Sequence, residues 1–500
     1  ARAFADRPDR WAHDLAGTAY TLQVGRGAYA ERLAFVTDSA EHAVTTLRRF
    51  LAGDTTGLHT GRVERGAGGD PYDGHGDDET AAAWVRGARV DWRRRWVDRP
   101  RRRSLPTYPF ARERHWFTDG TTAPPISYFT ATWRDEPVPA PGEHPGRVLV
   151  LGDLPVPGAV HVVAGAEYRD EGTVVTIRPG EQDDYARLLA DPPTRIVHQW
   201  PLLTPGRDDL GIEAMFRIVK ELTAHGTRAP ARIQVLVPEG PHAEAWGGFD
   251  VSLRAALPGT NVSVVRVEGP TGTGELLAEI AAHRLSGPAV RVSATGRTVR
   301  VLSEIPAEPV LPPPLRDGGV YLITGGLGGL GVLLTRTLLS RGARVALTGR
   351  SPAAERSEAL AELRAHGDVA YHQAAVDDRA AMARVVAEVT ATWGPLDGVF
   401  HLAGTVSRTP LPGKGLDELR AHLRARLTGT VVLDEVTRDQ PLDVFVLYSS
   451  LAGQLGDYGL LDYAVGARYL DGFATARERE RRAGRRRGRT VSVDWPMWRA

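Results

Sequence analysis

The 500-residue chain has no cysteine, and only two of its 62 Lys and Arg residues are lysines, Lys220 and Lys414. Without a thiol there can be no disulfide, thiolate nucleophile or thiolate metal site, an absence that fits a cytoplasmic protein. Net charge is scarce too: 62 basic residues face 61 acidic ones, a formal +1. Such a balance gives no global field to select a polyanion or a lipid surface, so neither nucleic acid nor a membrane is expected as a partner. No uninterrupted apolar run reaches the ~18 residues of a membrane span. The opening ARAFADRPDR has no signal-peptide layout and no initiator methionine, so the chain reads as a piece of something longer. What is present is ordinary for a globular protein, 42% hydrophobic and 25% charged residues. At roughly 100–200 residues per domain, the length suggests about three units.

The first unit, residues 1–118, reads as a small α+β domain. A helical pattern runs over Asp14–Arg26, LAFVTDS (33–39) alternates like a strand, and HAVTTLRRFLAGD is a helix ended by Gly53. In ERGAGGDPYDGHGDDE the acidic residues and His75 lack paired ligand spacing, so the stretch reads as a solvated loop and no metal site is expected. From AAAWVRG to LPTYPFARERHWF, tryptophans and arginines alternate before a proline-punctuated tail. This is expected to be a strap that lays aromatic rings on a neighbouring surface under arginine stems.

The second unit, residues 126–310, alternates strands (GRVLVLG, TRIVHQW, RIQVLVP) with helices such as GIEAMFRIVKELTAHG, the rhythm of a mostly parallel sheet. It has no glycine fingerprint at a first strand, and GDLPVPGAV is a poor nucleotide loop, so its role is expected to be structural. The proline run EIPAEPVLPPPLRDGG leads to the third unit, residues 316–500. The expected fold class is α/β: a Rossmann-like doubly wound parallel sheet in the third unit, a truncated Rossmann-like second unit, and the small α+β domain in front.

In the third unit TGGLGGLG (Thr324–Gly331) follows the apolar strand VYLI and opens the helix VLLTRTLLSRG, the context a dinucleotide fingerprint requires. Glycines let the backbone approach a pyrophosphate, whose charge is stabilised by unpaired N–H groups and the positive end of the helix dipole. Thr324, Gly325, Leu327, Gly328, Gly329, Leu330 and Gly331 are therefore candidate cofactor residues. The next strand, RVALTG, ends at Arg350 and Ser351, where an NAD site would carry an acid. A guanidinium there favours a 2′-phosphate, and NADPH is the expected cofactor.

The glycine-rich segment, GVFHLAG (398–404), FVLYSSLAG (445–453) and Tyr463 in YAVGARYLDGF together resemble the ketoreductase domain of modular type I polyketide synthases, a branch of the short-chain dehydrogenase/reductases. Upstream, AWGGFDVSLRAALPG and GRTVRVL resemble that domain's structural half. LAGTAYTLQVGRGAYAERLAFV and LPTYPFARERHWF resemble the segment flanking a ketosynthase. With no acyltransferase between these parts, the layout is similar to modules served by a separate acyltransferase. The resemblance implies an upstream ketosynthase of the same polypeptide and, as partner, an acyl carrier protein bearing a phosphopantetheine-bound β-ketoacyl chain.

The resemblance also implies a serine, a tyrosine, a lysine and an asparagine in the site. Ser450 and Tyr463 match the first two. The lysine position is Arg426, in Arg426-Leu427-Thr428-Gly429-Thr430, and the asparagine position is Ala467, beside Arg468. Further cofactor contacts are implied at Ala375, where the family carries an acid, with Asp377 nearby, and at Val376, Ala403, Gly404 and Pro496. Thr405-Val406-Ser407-Arg408 and Leu455 replace both stereochemical signatures, so no alcohol configuration is assigned.

A free phenol has a pKa near ~10, so its use as a proton donor depends on neighbouring charge and hydrogen bonds. Arg426 keeps the charge but not the compact ammonium, and the Ala467 methyl neither donates nor accepts. General acid catalysis contributes typically ~10²–10⁴-fold, so two damaged positions imply a reduction-impaired, largely structural domain. The alternatives are an active NADPH-dependent reductase using Arg426, or an α-carbon epimerase using Tyr463. The run ARERERRAGRRRGR (476–489) reads as a solvated helix end, with carrier docking as its alternative.

Overall fold

The computed structural model describes residues 1–63, 70–106, 128–142, 146–224, 232–256, 260–282, 289–306, 315–407, 409–456 and 459–496. Most of the expected strap, much of the proline linker and Arg408 lie outside the described residues. The chain divides into two compact units, Ala1–Ala123 and Pro124–Ala500.

In the smaller unit, helix Leu15–Val24 starts where the Asp14 carboxylate accepts from the Gly17 amide. The expected strand at 33–39 is displaced: it spans Glu31–Ala34 and pairs antiparallel with His59–Arg62. The chain leaves the sheet because Ser39 caps the next helix, Ala40–Leu51, its hydroxyl accepting from the His42 amide. Ala5, Trp11, Ala43, Leu47 and Leu105 form the core. The tryptophan–arginine mixture packs within the unit: the Arg32 guanidinium lies 5.0 Å from the Trp84 ring centroid, and Trp96 Nε1 donates to Gln23 Oε1.

Among its described residues the larger unit has two sheets. In the first, seven parallel strands run side by side in the order Ala289–Ser293, Asn261–Glu268, Arg232–Pro238, Arg195–His198, Val148–Leu151, Val160–Ala164 and Val174–Ile177. Antiparallel strands extend both edges, and Gly296–Ile305 and Tyr128–Asp135 lie beyond Ala289–Ser293. Two helices of this half matter below, α1 (Ile212–Ala224) and α2 (Pro241–Ala256).

The second sheet has six parallel strands: β1 (Val320–Thr324), β2 (Arg344–Gly349), β3 (Val369–Gln373), β4 (Gly398–His401), β5 (Val444–Ser450) and β6 (Arg489–Trp495). Their order is β3-β2-β1-β4-β5-β6, the doubly wound arrangement in which ligands meet the carboxyl ends of the strands where the order reverses, between β1 and β4. Strand β1 is buried along its whole length, as a parallel strand covered on both faces must be. Helices α3 (Gly329–Leu339), α4 (Leu416–Arg426) and α5 (Leu461–Arg482) complete the frame of the site.

One apolar cluster spans both halves. Met215 and Phe216 of α1 and Trp246 and Phe249 of α2 pack with Leu419 and Leu423 of α4 and with Leu461, Val465 and Tyr469 of α5. Helices α2 and α5 touch backbone to backbone: a Cβ placed on Gly248 would lie 2.2 Å from the Ala464 carbonyl oxygen. Among the described residues, no helix is long and apolar enough to cross a membrane.

Candidate active site

The fingerprint loop lies between β1 and α3. Gly325 has φ +67°, and a Cβ there would meet the Ala403 backbone at 2.9 Å, so this position requires glycine on two counts. A Cβ on Gly331 would come within 2.5–2.7 Å of Gly326 backbone atoms, which is how closely the first turn of α3 approaches the loop. Gly328 is the N-cap of α3 without a side-chain cap, and Gly328 and Gly329 are exposed. The first-turn amides of a helix have no intrahelical acceptor, so this end offers donors and positive dipole to an anion. Leu327 and Leu330 are half-buried beside them.

Thr324 is buried at the end of β1, its Oγ1 2.7 Å from His401 Nδ1 and accepting from the Ala403 amide. Burial, then the nearby Arg426 cation, pushes the His401 imidazole down to about 3, so it is neutral at physiological pH. Arg350 is exposed at the end of β2 and Ser351 half-buried after it; their carbonyls accept from Gln373 Nε2 and the Tyr371 hydroxyl. Ala375 is half-buried, while Val376 is buried, its side chain against Gly429. Asp377 faces Arg424 at 3.8 Å. Ala403 is half-buried, and Gly404 and Pro496 are exposed.

The structure brings Arg426 and Tyr463 together. Arg426 ends α4, Tyr463 lies in the first turn of α5, and the guanidinium carbon is 4.0 Å from the phenol ring centroid. Arg426 is 6% exposed, and its Nη1 is buried with no hydrogen-bond partner. Burial lowers the guanidinium from its ordinary range, while the Tyr463 oxygen and the Asp462 carboxylate favour its charged form. The side chain runs between two glycines: a Cβ on Gly466 would strike its Cδ at 2.6 Å, and one on Gly404 its Nη2 at 2.9 Å.

Ser450 and Ala467 are placed differently. The Ser450 hydroxyl donates to the Trp495 carbonyl at 3.4 Å and accepts from the Ala452 amide at 3.2 Å, and no hydrogen bond joins it to Tyr463. Ala467 is fully buried, its methyl against Gly453 and its carbonyl accepting from Ser449. The neighbouring Arg468 is turned away, bound to Gln454 and to Glu244 of α2. Leu455 is 76% exposed, and Ser407 joins Thr409 and Glu418 in a small hydroxyl–carboxylate chain. In the arginine run, Arg477 and Arg486 bind Asp434, Arg481 and Arg482 bind Glu478, and Arg485 binds Glu480.

Sequence reading missed a charged cluster under Tyr463. Lys414 Nζ lies 2.8 Å from Asp462 Oδ1 with both side chains fully buried, and His422 Nδ1 pairs with Asp462 Oδ2. The Tyr463 amide donates to Asp462 Oδ1 at 3.0 Å. Two signals pointed there: the rarity of lysine, and an acid adjoining the tyrosine.

Residues 319–500 match the model of the KR domain, and residues 2–54 that of the RhiE-like, KS-MAT linker domain. The chain is 26% identical over 550 residues to the polyketide synthase PksM of Bacillus subtilis, covering 97% of this chain and 13% of PksM. It is 39% identical over 318 residues to the polyketide synthase ThaG of Burkholderia thailandensis, covering 60% of this chain and 6% of ThaG. The chain thus spans a small part of each of these relatives. A crystal structure of an N-terminal ketoreductase from the macrolactin assembly line shares the fold, with a TM-score of 0.65 at 23% identity, over 74% of this chain and 83% of that one.

Proposed function

Because this chain belongs to the polyketide synthase ketoreductase family, we propose that residues 126–310 and 316–500 are a ketoreductase domain that holds NADPH but reduces poorly, its role largely architectural. The observation that carries this reading is the Arg426 guanidinium over the Tyr463 ring, with a buried Nη1 that nothing satisfies. Stacked on a ring face, a planar cation is attracted by the π system. The Tyr463 oxygen favours that cation, but a planar fork does not present one compact charge to the oxygen and a sugar hydroxyl together, as an ammonium does.

The cradle fits NADPH. Gly325 and Gly331 leave no room for a Cβ beside the loop, the open first turn of α3 suits a pyrophosphate, and exposed Arg350 suits a 2′-phosphate. Bound NADPH would supply hydride. In this reading Tyr463 is the group that would hand a proton to the β-keto oxygen, and Ser450 the group that would hydrogen-bond it. Ala467 supplies no hydrogen bond, and Ser450 spends its hydroxyl on Trp495 and Ala452. The polyketide synthase relatives and the linker match favour a β-ketoacyl chain on a carrier protein as substrate. They also favour an upstream ketosynthase, in a module served by a separate acyltransferase.

The test pairs fluorescence titration of NADPH with turnover of a β-ketoacyl thioester. The unmodified chain is expected to bind without appreciable turnover, and the Arg426→Lys, Ala467→Asn variant to gain turnover. Oxidation of NADPH by the unmodified chain at the rate usual for a synthase module overturns the reading. One observation favours the second reading, an active reductase: Arg426 keeps a cation against the phenol. Arg426→Ala then abolishes measurable reduction.

A further inference from the structure

We propose that Lys414, acting through Asp462, is a positioning residue for Tyr463: it holds the carboxylate that joins α4 to α5 and cancels that carboxylate's charge at the phenol. The inference rests on the reading of Tyr463 as the proton donor.

A carboxylate taken wholly out of water persists as an anion only when paired and hydrogen-bonded. Asp462 has three donors: Lys414 Nζ at 2.8 Å, His422 Nδ1, and the Tyr463 amide at 3.0 Å. These come from three segments, the loop before α4, α4 itself, and α5. His422 lies one turn before Arg426 on α4, a spacing that puts the two on one helix face. One carboxylate therefore ties the helix that carries the cation to the helix that carries the phenol. The 4.0 Å stacking of Arg426 on Tyr463 is set across that tie.

The clamp is anchored from the non-catalytic half. Lys220 of α1 donates from Nζ to the Lys414 carbonyl at 3.1 Å, and Glu213 of α1 receives both Nε and Nη2 of Arg420 on α4 at 2.7 and 2.6 Å. The chain's two lysines thus meet at this one junction, in a protein otherwise supplied with arginine. A fully buried slot against a carboxylate accepts a compact ammonium, and the larger planar guanidinium does not fit the same space.

Removing one charge of the pair leaves the other uncompensated beside Tyr463, so the two single removals act on the phenol with opposite sign. With ¹³Cζ-tyrosine in the full chain, and Tyr463→Phe to identify the resonance, the ionisation of Tyr463 is followed by NMR in Lys414→Met, Asp462→Asn and the double variant. Lys414→Met is expected to raise the Tyr463 pKa and Asp462→Asn to lower it, each by roughly one unit. The double variant returns close to the starting value, with circular dichroism unchanged throughout. Shifts of the same sign, or none, in folded single variants overturn the proposal. Should Lys414→Met not fold, Asp462→Asn is compared with the double variant. Lys414 must then lower the phenol pKa in the Asp462→Asn background, and an identical pKa overturns the proposal. The readout needs no turnover, so it separates this inference from the fate of the functional reading.

Discussion

In each half of the larger unit a buried parallel strand opens into a glycine-bearing turn, and the two turns differ. After Val148–Leu151, the amides of Asp153 and Leu154 both donate to Gln199 Oε1, at 2.9 and 2.8 Å, and the chain continues into the strand Val160–Ala164 without an intervening helix. After β1, the loop runs straight into α3, whose first-turn amides have no side-chain cap. In one half a single side chain from a neighbouring strand end accepts from the amides of the turn. In the other half, a Cβ on Gly325 or Gly331 would meet backbone at 2.5–2.9 Å, so these positions of the turn are held to glycine. The difference between the two halves is therefore local: whether a helix follows the strand, and whether a glutamine takes up the amides of the turn.

The first half touches α5, the helix that carries Tyr463, through α2. Gly248→Val is the sharpest way to break the comparison, since its side chain would enter the space of the Ala464 carbonyl, one residue beyond Tyr463. Overpacking of this kind costs about 3 kcal/mol, read as a fall in Tm and in denaturant midpoint. Gly247→Ala is the control, because its Cβ would meet only the movable end of Arg468 at 3.3 Å and should cost little. Equal losses from both would mean that the α2–α5 contact does not discriminate between them.

The two turns give the next pair. Gly331→Ala drives a methyl into the Gly326 backbone and is expected to weaken NADPH binding about 100-fold by fluorescence titration, since a small misplacement of a binding loop is costly. Gln199→Ala strips two amides of their acceptor and should lower stability by about 1–3 kcal/mol while leaving the NADPH dissociation constant unchanged. A change in NADPH affinity on removing Gln199 would couple the halves in a way the sheet topology does not.

Much of the fold was legible because parallel strands and their turns carry strong local signals. RVALTG and RIQVLVP are strands over the stretches expected, and TGGLGGLG opens a helix. The strand at 33–39 was misplaced because Ser39 serves the following helix rather than the sheet. In the site, Arg426 and Tyr463 were nameable from the family pattern, and the structure brings them into contact. The Lys414–Asp462–His422 cluster was not, because its members are brought together by tertiary packing, 40 and 48 residues apart, without a local periodicity to announce them. Nor did the sequence tell that the Ser450 hydroxyl accepts from the Ala452 amide and bonds to the Trp495 carbonyl, a partner 45 residues away.

The smallest expected effect tests the Arg350 end of the cradle. Arg350 is exposed at the end of β2, so any bond it makes to a 2′-phosphate is made in water and is screened by salt. Arg350→Ala is accordingly expected to weaken NADPH by about tenfold, the size of one charge-assisted contact near a surface. NADH, which has a hydroxyl in place of that phosphate, should bind the variant and the unmodified chain alike. Raising the ionic strength should reproduce part of the variant's loss in the unmodified chain, for NADPH and not for NADH. If Arg350→Ala weakens both cofactors equally, the arginine serves the loop rather than the phosphate. Cofactor choice then has to be sought in the Ser351 and Ala375–Val376 segments that flank it.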